Sequence, residues 1–166
     1  SYGLTAGIHS LDAAEVALWL GSVESGNLYV NRGVTGAIVQ RQPFGGWKRS
    51  SVGAGAKAGG PNYLFTLGDW APVFVEPSTS VRLSGLSDGV TRLIEAAQPT
   101  MEFVEFDQVR RAALSDQKAW ETEFSVARDV AGLTVERNVL RYLPTAVTIR
   151  LAEGASVSQL VRMLAA

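Results

Sequence analysis

The residues with spacing suited to chemistry lie between positions 33 and 46. Gly33, Gly36, Pro43, Gly45 and Gly46 punctuate a loop that follows a short strand-like run, Asn27 to Asn31. Glycines at this density let a backbone turn tightly and approach a ligand closely. Where such a backbone curves, successive amides such as those of Gly36 and Ala37 can converge on an anion. On residue types alone a plain surface turn is the simpler reading. Phe44, eight residues beyond Gly36, offers an aromatic face; taken alone it reads as a core side chain pinning the loop. Gly53-Ala54-Gly55 with Gly59-Gly60 superficially resembles a phosphate-binding run. It follows a loop instead of a strand, and its lysine is misplaced for that motif, so nucleotide binding there is not expected.

Other reactive types are sparse. The chain has no cysteine, which removes a thiolate nucleophile, a disulfide and a thiolate metal site. His9 is the single histidine and has no second imidazole or thiolate to share a metal. Glu15 and Glu24 read as solvated charges. Lys48 and Arg49 read the same way, with contact to a partner subunit as the alternative. Trp19, Trp47, Trp70 and Trp120 read as core or interface anchors.

The stretch NLYVNRGVTGAIVQRQPFGG, with AGGPNYL beyond it, resembles the C-terminal part of the aldehyde dehydrogenase catalytic domain. A Gly-x-x-x-x-Asn strand (Gly26 to Asn31) precedes a Pro-Phe-Gly-Gly turn (Pro43 to Gly46). The longer form resembles the 1-pyrroline-5-carboxylate (L-glutamate γ-semialdehyde) dehydrogenase branch. The resemblance runs from Tyr2 to about Trp70. It implies that the Gly36-Ala37 amides anchor the substrate carboxylate. It also implies that Phe44 packs on the substrate methylenes, through dispersion and apolar burial. ERNVLRYLP (Glu136 to Pro144) more briefly resembles the C-terminal extension of bifunctional proline-catabolic flavoenzymes.

What the resemblance implies for the whole protein is oxidation of glutamate semialdehyde to glutamate. That reaction uses a cysteine thiohemiacetal and NAD, with FAD possible in a separate domain. Neither catalytic cysteine nor general base falls in this chain, so it is expected to be an inactive fragment that supplies the anchor and the aromatic wall. Expected partners are glutamate semialdehyde or glutamate, the remaining part of the dehydrogenase, and further copies through self-association. A non-catalytic interaction or assembly module of a larger enzyme is the alternative.

The elements that position these residues follow from periodicity. Ala13, Val16, Ala17, Leu20 and Val23 recur at helical steps after Asp12, a suitable cap. Leu28-Tyr29-Val30 predicts a strand. Residues 32–62 read as loop, and Asn62 to Leu67 as a further strand. Glu76 to Ser80 reads as a linker. The expected division is residues 1–75, the dehydrogenase part, and 76–166, an extension that begins a Rossmann-like non-catalytic domain. There, helices are expected within Val81–Ala97, starting near Gly85–Gly89, and over Asp107–Ala127. Strands are expected at Glu136–Tyr142 and Ala146–Leu151, and a last helix capped by Ser156. The fold class is α/β, a fragment of the aldehyde dehydrogenase catalytic domain followed by a mixed helical and βα extension.

Composition agrees with an ordinary folded protein. Of the 166 residues, 46% are apolar and 19% charged, and the formal net charge is −1. There is no basic excess to attract nucleic acid. No run reaches the roughly 18 apolar residues that span a bilayer. No signal peptide is visible, and the expected compartment is cytoplasmic.

Overall fold

The computed structural model describes residues 1–38, 41–51, 56–71 and 73–166. The chain divides into two compact units. The first is Ser1–Ala71 with Arg128–Leu140, and the second is Pro72–Ala127 with Arg141–Ala166.

The first unit is built on a parallel pair, β2 (Thr5–Ile8) with β3 (Asn27–Val30), in the register Thr5 to Asn27 through Ile8 to Val30. Parallel neighbours need a crossover, and helix α1 (Ala13–Ser22) provides it. Asp12 caps α1 as its sequence suggests, its carboxylate accepting from the amides of Ala14 and Glu15 at 2.8 and 3.3 Å. The pair is closed by Asn31, which leaves β3 at φ 56°. Its side chain exchanges two hydrogen bonds with the Ser10 backbone, at 2.9 and 2.8 Å. Asparagine tolerates this left-handed conformation better than most residues. Two antiparallel pairs complete the unit. One joins β1 (Tyr2–Gly3) to β4 (Trp47–Lys48), and the other joins β5 (Arg128–Asp129) to β6 (Val139–Leu140).

Apolar burial contributes little here. Among the described residues the first unit has one buried large hydrophobic, Tyr29 at 3% exposure, beside the buried amides of Asn27 and Asn138. Leu11, Leu18, Leu64, Phe65 and Leu67 are exposed. Trp70 is 77% exposed and Trp120 also lies open, so neither is a core anchor. Trp19 and Trp47 are half-buried.

The second unit has a conventional core. Helices α2 (Asp88–Ala97), α3 (Phe103–Ala119) and α4 (Val157–Ala165) bring together Ile94, Phe106, Val109, Ala113, Val161 and Ala165. Leu83, Leu86, Val90, Leu93, Ala97 and Met101 pack around that cluster. Ser87 caps α2, accepting from Val90. Ser156 caps α4, as the sequence anticipates, and forms a reciprocal capping box with Gln159. A buried carboxylate ties the linker to α3. Asp107, 1% exposed, accepts from the Ser78 amide at 3.0 Å, Arg110 at 2.7 Å and Arg111 at 2.9 Å.

Four expected elements differ. Residues 63–66 form a single 3-10 turn instead of a strand. Exposed throughout, this segment finds no neighbouring strand, and an unpaired extended backbone gains no ladder hydrogen bonds. Helix α3 starts at Phe103, one turn early. It ends at Ala119 and passes into a π-helical turn, Trp120–Phe124. Residues 146–151 form no strand despite clean alternation. Without a partner such a segment gains no ladder hydrogen bonds, so the βα element expected there lacks its strand. The 136–142 strand is confined to Val139–Leu140. No helix among the described residues is long and apolar enough to cross a membrane.

Candidate substrate-binding site

Strand β3 positions the loop through its first residue. The buried Asn27 amide donates to Pro43 O at 3.0 Å, and its Oδ1 accepts from the Gly45 amide at 3.1 Å. One side chain thus grips the backbone on both sides of Phe44. Phe44 forms an antiparallel bridge with Ala58, the two amides donating at 3.0 and 2.9 Å. Lys57, next to Ala58, donates from Nζ to Gly45 O at 2.8 Å, to Asn27 Oδ1 at 3.4 Å and to Gly26 O. Burial pushes the Lys57 ammonium below its ordinary pKa, the expected direction for a cation losing water. Gly26 passes against the turn so closely that an added Cβ would lie 1.8 Å from Gly45 O. Only glycine fits there.

The structure therefore holds Phe44 half-buried at a fixed place. Gly36 and Ala37 lie on the exposed stretch between β3 and that turn. Gly36 has φ 84° with open space around it, so glycine is required by conformation and not by crowding. Among the described residues neither the Gly36 nor the Ala37 amide donates to a protein acceptor. Tyr29 links strand and turn, its hydroxyl accepting from Gln42 Nε2 at 2.8 Å. The Arg32 guanidinium lies 5.3 Å over the Tyr29 ring, a cation–π distance.

Sequence reasoning missed Lys57, Asn27 as a clamp, and Glu136. Lys57 is a single cation within an alanine- and glycine-rich stretch, which is a weak signal. Glu136 accepts from Arg32 and Arg41, both at 3.2 Å, and nothing near it in sequence marks those partners. Glu24 and Lys48, both read as solvated, form an exposed ion pair that holds the Glu24 carboxyl below its usual range. His9 is exposed, and no cluster of metal-binding side chains occurs among the described residues. The glycine run at 53–55 lies outside the described residues.

A dinucleotide does not fit the βαβ unit. The β2–α1 connection, His9 to Asp12, carries no glycine. The Asp12 carboxylate occupies the first amides of α1, where a pyrophosphate would bind. No step through NAD is assigned to these residues.

The described residues thus place a glycine-conditioned loop and a pinned aromatic turn on one βαβ scaffold. Residues 1–67 match the aldehyde dehydrogenase family. The relatives narrow the class. The chain is 36% identical over 146 residues to the bifunctional protein PutA of Klebsiella aerogenes, covering 86% of this chain and 11% of that protein. The bifunctional protein PutA of Escherichia coli (strain K12) is 36% identical over 169 residues, covering 99% of this chain and 13% of that protein. A 1-pyrroline-5-carboxylate dehydrogenase of Bacillus cytotoxicus is 51% identical over 63 residues, covering 38% of this chain and 12% of that protein. The chain thus spans about an eighth or less of the length of these relatives. No solved structure matches it.

Proposed function

We propose that this chain is the substrate-anchoring part of a dehydrogenase that oxidises L-glutamate γ-semialdehyde to glutamate in proline catabolism. The carrying observation is Gly36 at φ 84°, its amide and that of Ala37 donating to no acceptor among the described residues, within sequence that matches the aldehyde dehydrogenase family. In this reading the two amides donate charge-assisted hydrogen bonds to the substrate carboxylate. Phe44 lies along the methylenes, and the Asn27–Lys57 clamp keeps it there. The nucleophilic cysteine, the general base and NAD come from residues outside this chain, as would any FAD domain. Residues from about 76 onward then form the non-catalytic extension. The test is kinetic: the full-length natural protein should oxidise glutamate semialdehyde with NAD in clear preference to an uncharged aldehyde. The isolated 166-residue chain should produce no NADH.

The exposed row Leu64, Phe65, Leu67 and Trp70 favours a second reading, an assembly module that self-associates or docks on the rest of an enzyme. Apolar surface of this kind commonly marks an interface. Sedimentation of the chain alone and with the remaining dehydrogenase segment separates the two.

A further inference from the structure

The loop that carries Gly36 and Ala37 is tied at both ends by one carboxylate. Arg32 and Arg41 stand on either side of residues 33–40. Arg32 Nη1 donates to Glu136 Oε2 at 3.2 Å, and Arg41 Nη1 donates to Oε1 at 3.2 Å. Each guanidinium has its own oxygen, so the two do not compete. Glu136 is itself oriented. Asn138 Nδ2 donates to Oε1 at 3.2 Å, and the Asn138 amide donates to Asp129 Oδ2 at 3.2 Å. Asp129 also accepts from the amides of Ala131 and Gly132, at 3.1 and 3.2 Å. A carboxylate supported in this way keeps less freedom to lose when it binds both arginines.

We infer that Glu136 is a positioning residue for the anchor loop, and so a determinant of selectivity for a carboxylate-bearing aldehyde. The inference rests on the anchor role proposed for Gly36 and Ala37. A hairpin about a hundred residues downstream thereby acts on a site whose ligand it does not touch. Holding the two ends of the loop together narrows the conformations open to the amides between them, and preorganised donors bind an anion at lower cost. Simple electrostatics runs the other way. Removing the Glu136 charge leaves two arginines uncompensated and would attract an anionic substrate more strongly. The direction of the effect therefore decides between a staple and a field.

The test is Glu136→Gln in the full-length natural protein. Amide exchange across residues 33–38 should quicken roughly 3- to 10-fold, the range for two half-exposed ion pairs. Catalytic efficiency toward glutamate semialdehyde should fall by a similar factor through KM. Efficiency toward an uncharged aliphatic aldehyde should change less than about twofold. Arg41→Gln, at an exposed position, removes one arm; it should give a smaller loss of the same kind and add little in the double variant. Unchanged exchange, a lowered KM, or equal losses on both aldehydes overturns the inference directly. Quickened exchange with unaltered selectivity also overturns it, but through failure of the anchor reading, since the staple itself has then been observed.

Discussion

The Lys57 ammonium lies 3.4 Å from Asn27 Oδ1, and both side chains also bond to the backbone of the Pro43–Gly45 turn. Asn27 grips the turn at Pro43 O and the Gly45 amide, while Lys57 holds Gly45 O and Gly26 O. Phe44 sits inside that grip. In a unit with so little buried apolar surface, a polar clamp has an unusually large share of the positioning.

Removing the clamp should therefore show first as lost stability of the first unit. Asn27→Ala leaves the Gly45 amide and Pro43 carbonyl without their partner in a half-buried setting. The expected cost is about 1–3 kcal/mol, read as a shift in urea midpoint at unchanged slope. Gly26→Ala should cost more, about 3 kcal/mol, because the added Cβ meets Gly45 O, a backbone atom that cannot rotate aside. If Gly26→Ala matched the parent in stability, the close approach would be refuted.

Lys57 makes the first unit sensitive to alkaline pH in a definite direction. Burial holds its folded pKa below the ordinary 10.5. The unfolded chain then binds more protons between the folded value and 10.5, so stability should rise as pH climbs through that window. Below the folded value the penalty of burying the charge is present in full. Denaturation midpoints from neutral pH upward should show this rise. Lys57→Met should flatten it, since no ammonium remains to titrate.

Asp107 gives the second unit a dependence of the same sign at the acid end, because there the charged form is the favoured one. The Ser78 amide first, then the Arg110 hydrogen bond, hold its carboxyl below the ordinary 3.8, against the burial that opposes ionisation. A carboxylate with a lowered folded pKa stabilises the fold above its unfolded value. That contribution is lost as pH falls through the folded one. Asp107→Asn should lower stability near neutrality and remove most of the loss seen below pH 4. It also leaves Arg110 nearly buried without its counter-charge. Helical circular dichroism during urea titration at neutral and acid pH measures both effects.

Helices α1 and α4 were legible because local signals agreed: Asp12 and Ser156 each cap a helix with apolar residues at helical spacing. Helix α2 was legible from apolar spacing alone, and its cap, Ser87, is seen only in the structure. Strand β3 was legible from its β-rich run. The alternation at 146–151 misled because a period of two describes a strand only where a neighbour supplies hydrogen bonds. At Tyr63–Thr66 propensity alone likewise pointed to a strand, and the chain closes a local turn instead. Of the candidate site, Gly36 and Phe44 were singled out through the family resemblance, since by type alone they read as a surface turn and a core side chain. Their supports were not. Asn27 to Pro43, Lys57 to Gly26, and Glu136 to Arg32 are side-chain ties across long separations, and residue order carries no mark of which partners a fold will bring together.

The anchor itself is tested by comparing two substitutions on two substrates in the full-length protein. Gly36→Val cannot easily adopt φ 84°, so the backbone must move and the two amides lose their alignment. Each charge-assisted hydrogen bond lost should cost about 1.5–3 kcal/mol, roughly tenfold to over a hundredfold in catalytic efficiency toward glutamate semialdehyde. An aldehyde without a carboxylate has no such bonds to lose and should be affected far less. Phe44→Ala removes apolar contact that both substrates make, and should lower both efficiencies to a similar degree. The ratio of ratios isolates the carboxylate, because any general loosening of the loop divides out. Equal losses on both aldehydes for Gly36→Val would mean that the loop is scaffold and that the carboxylate is held elsewhere.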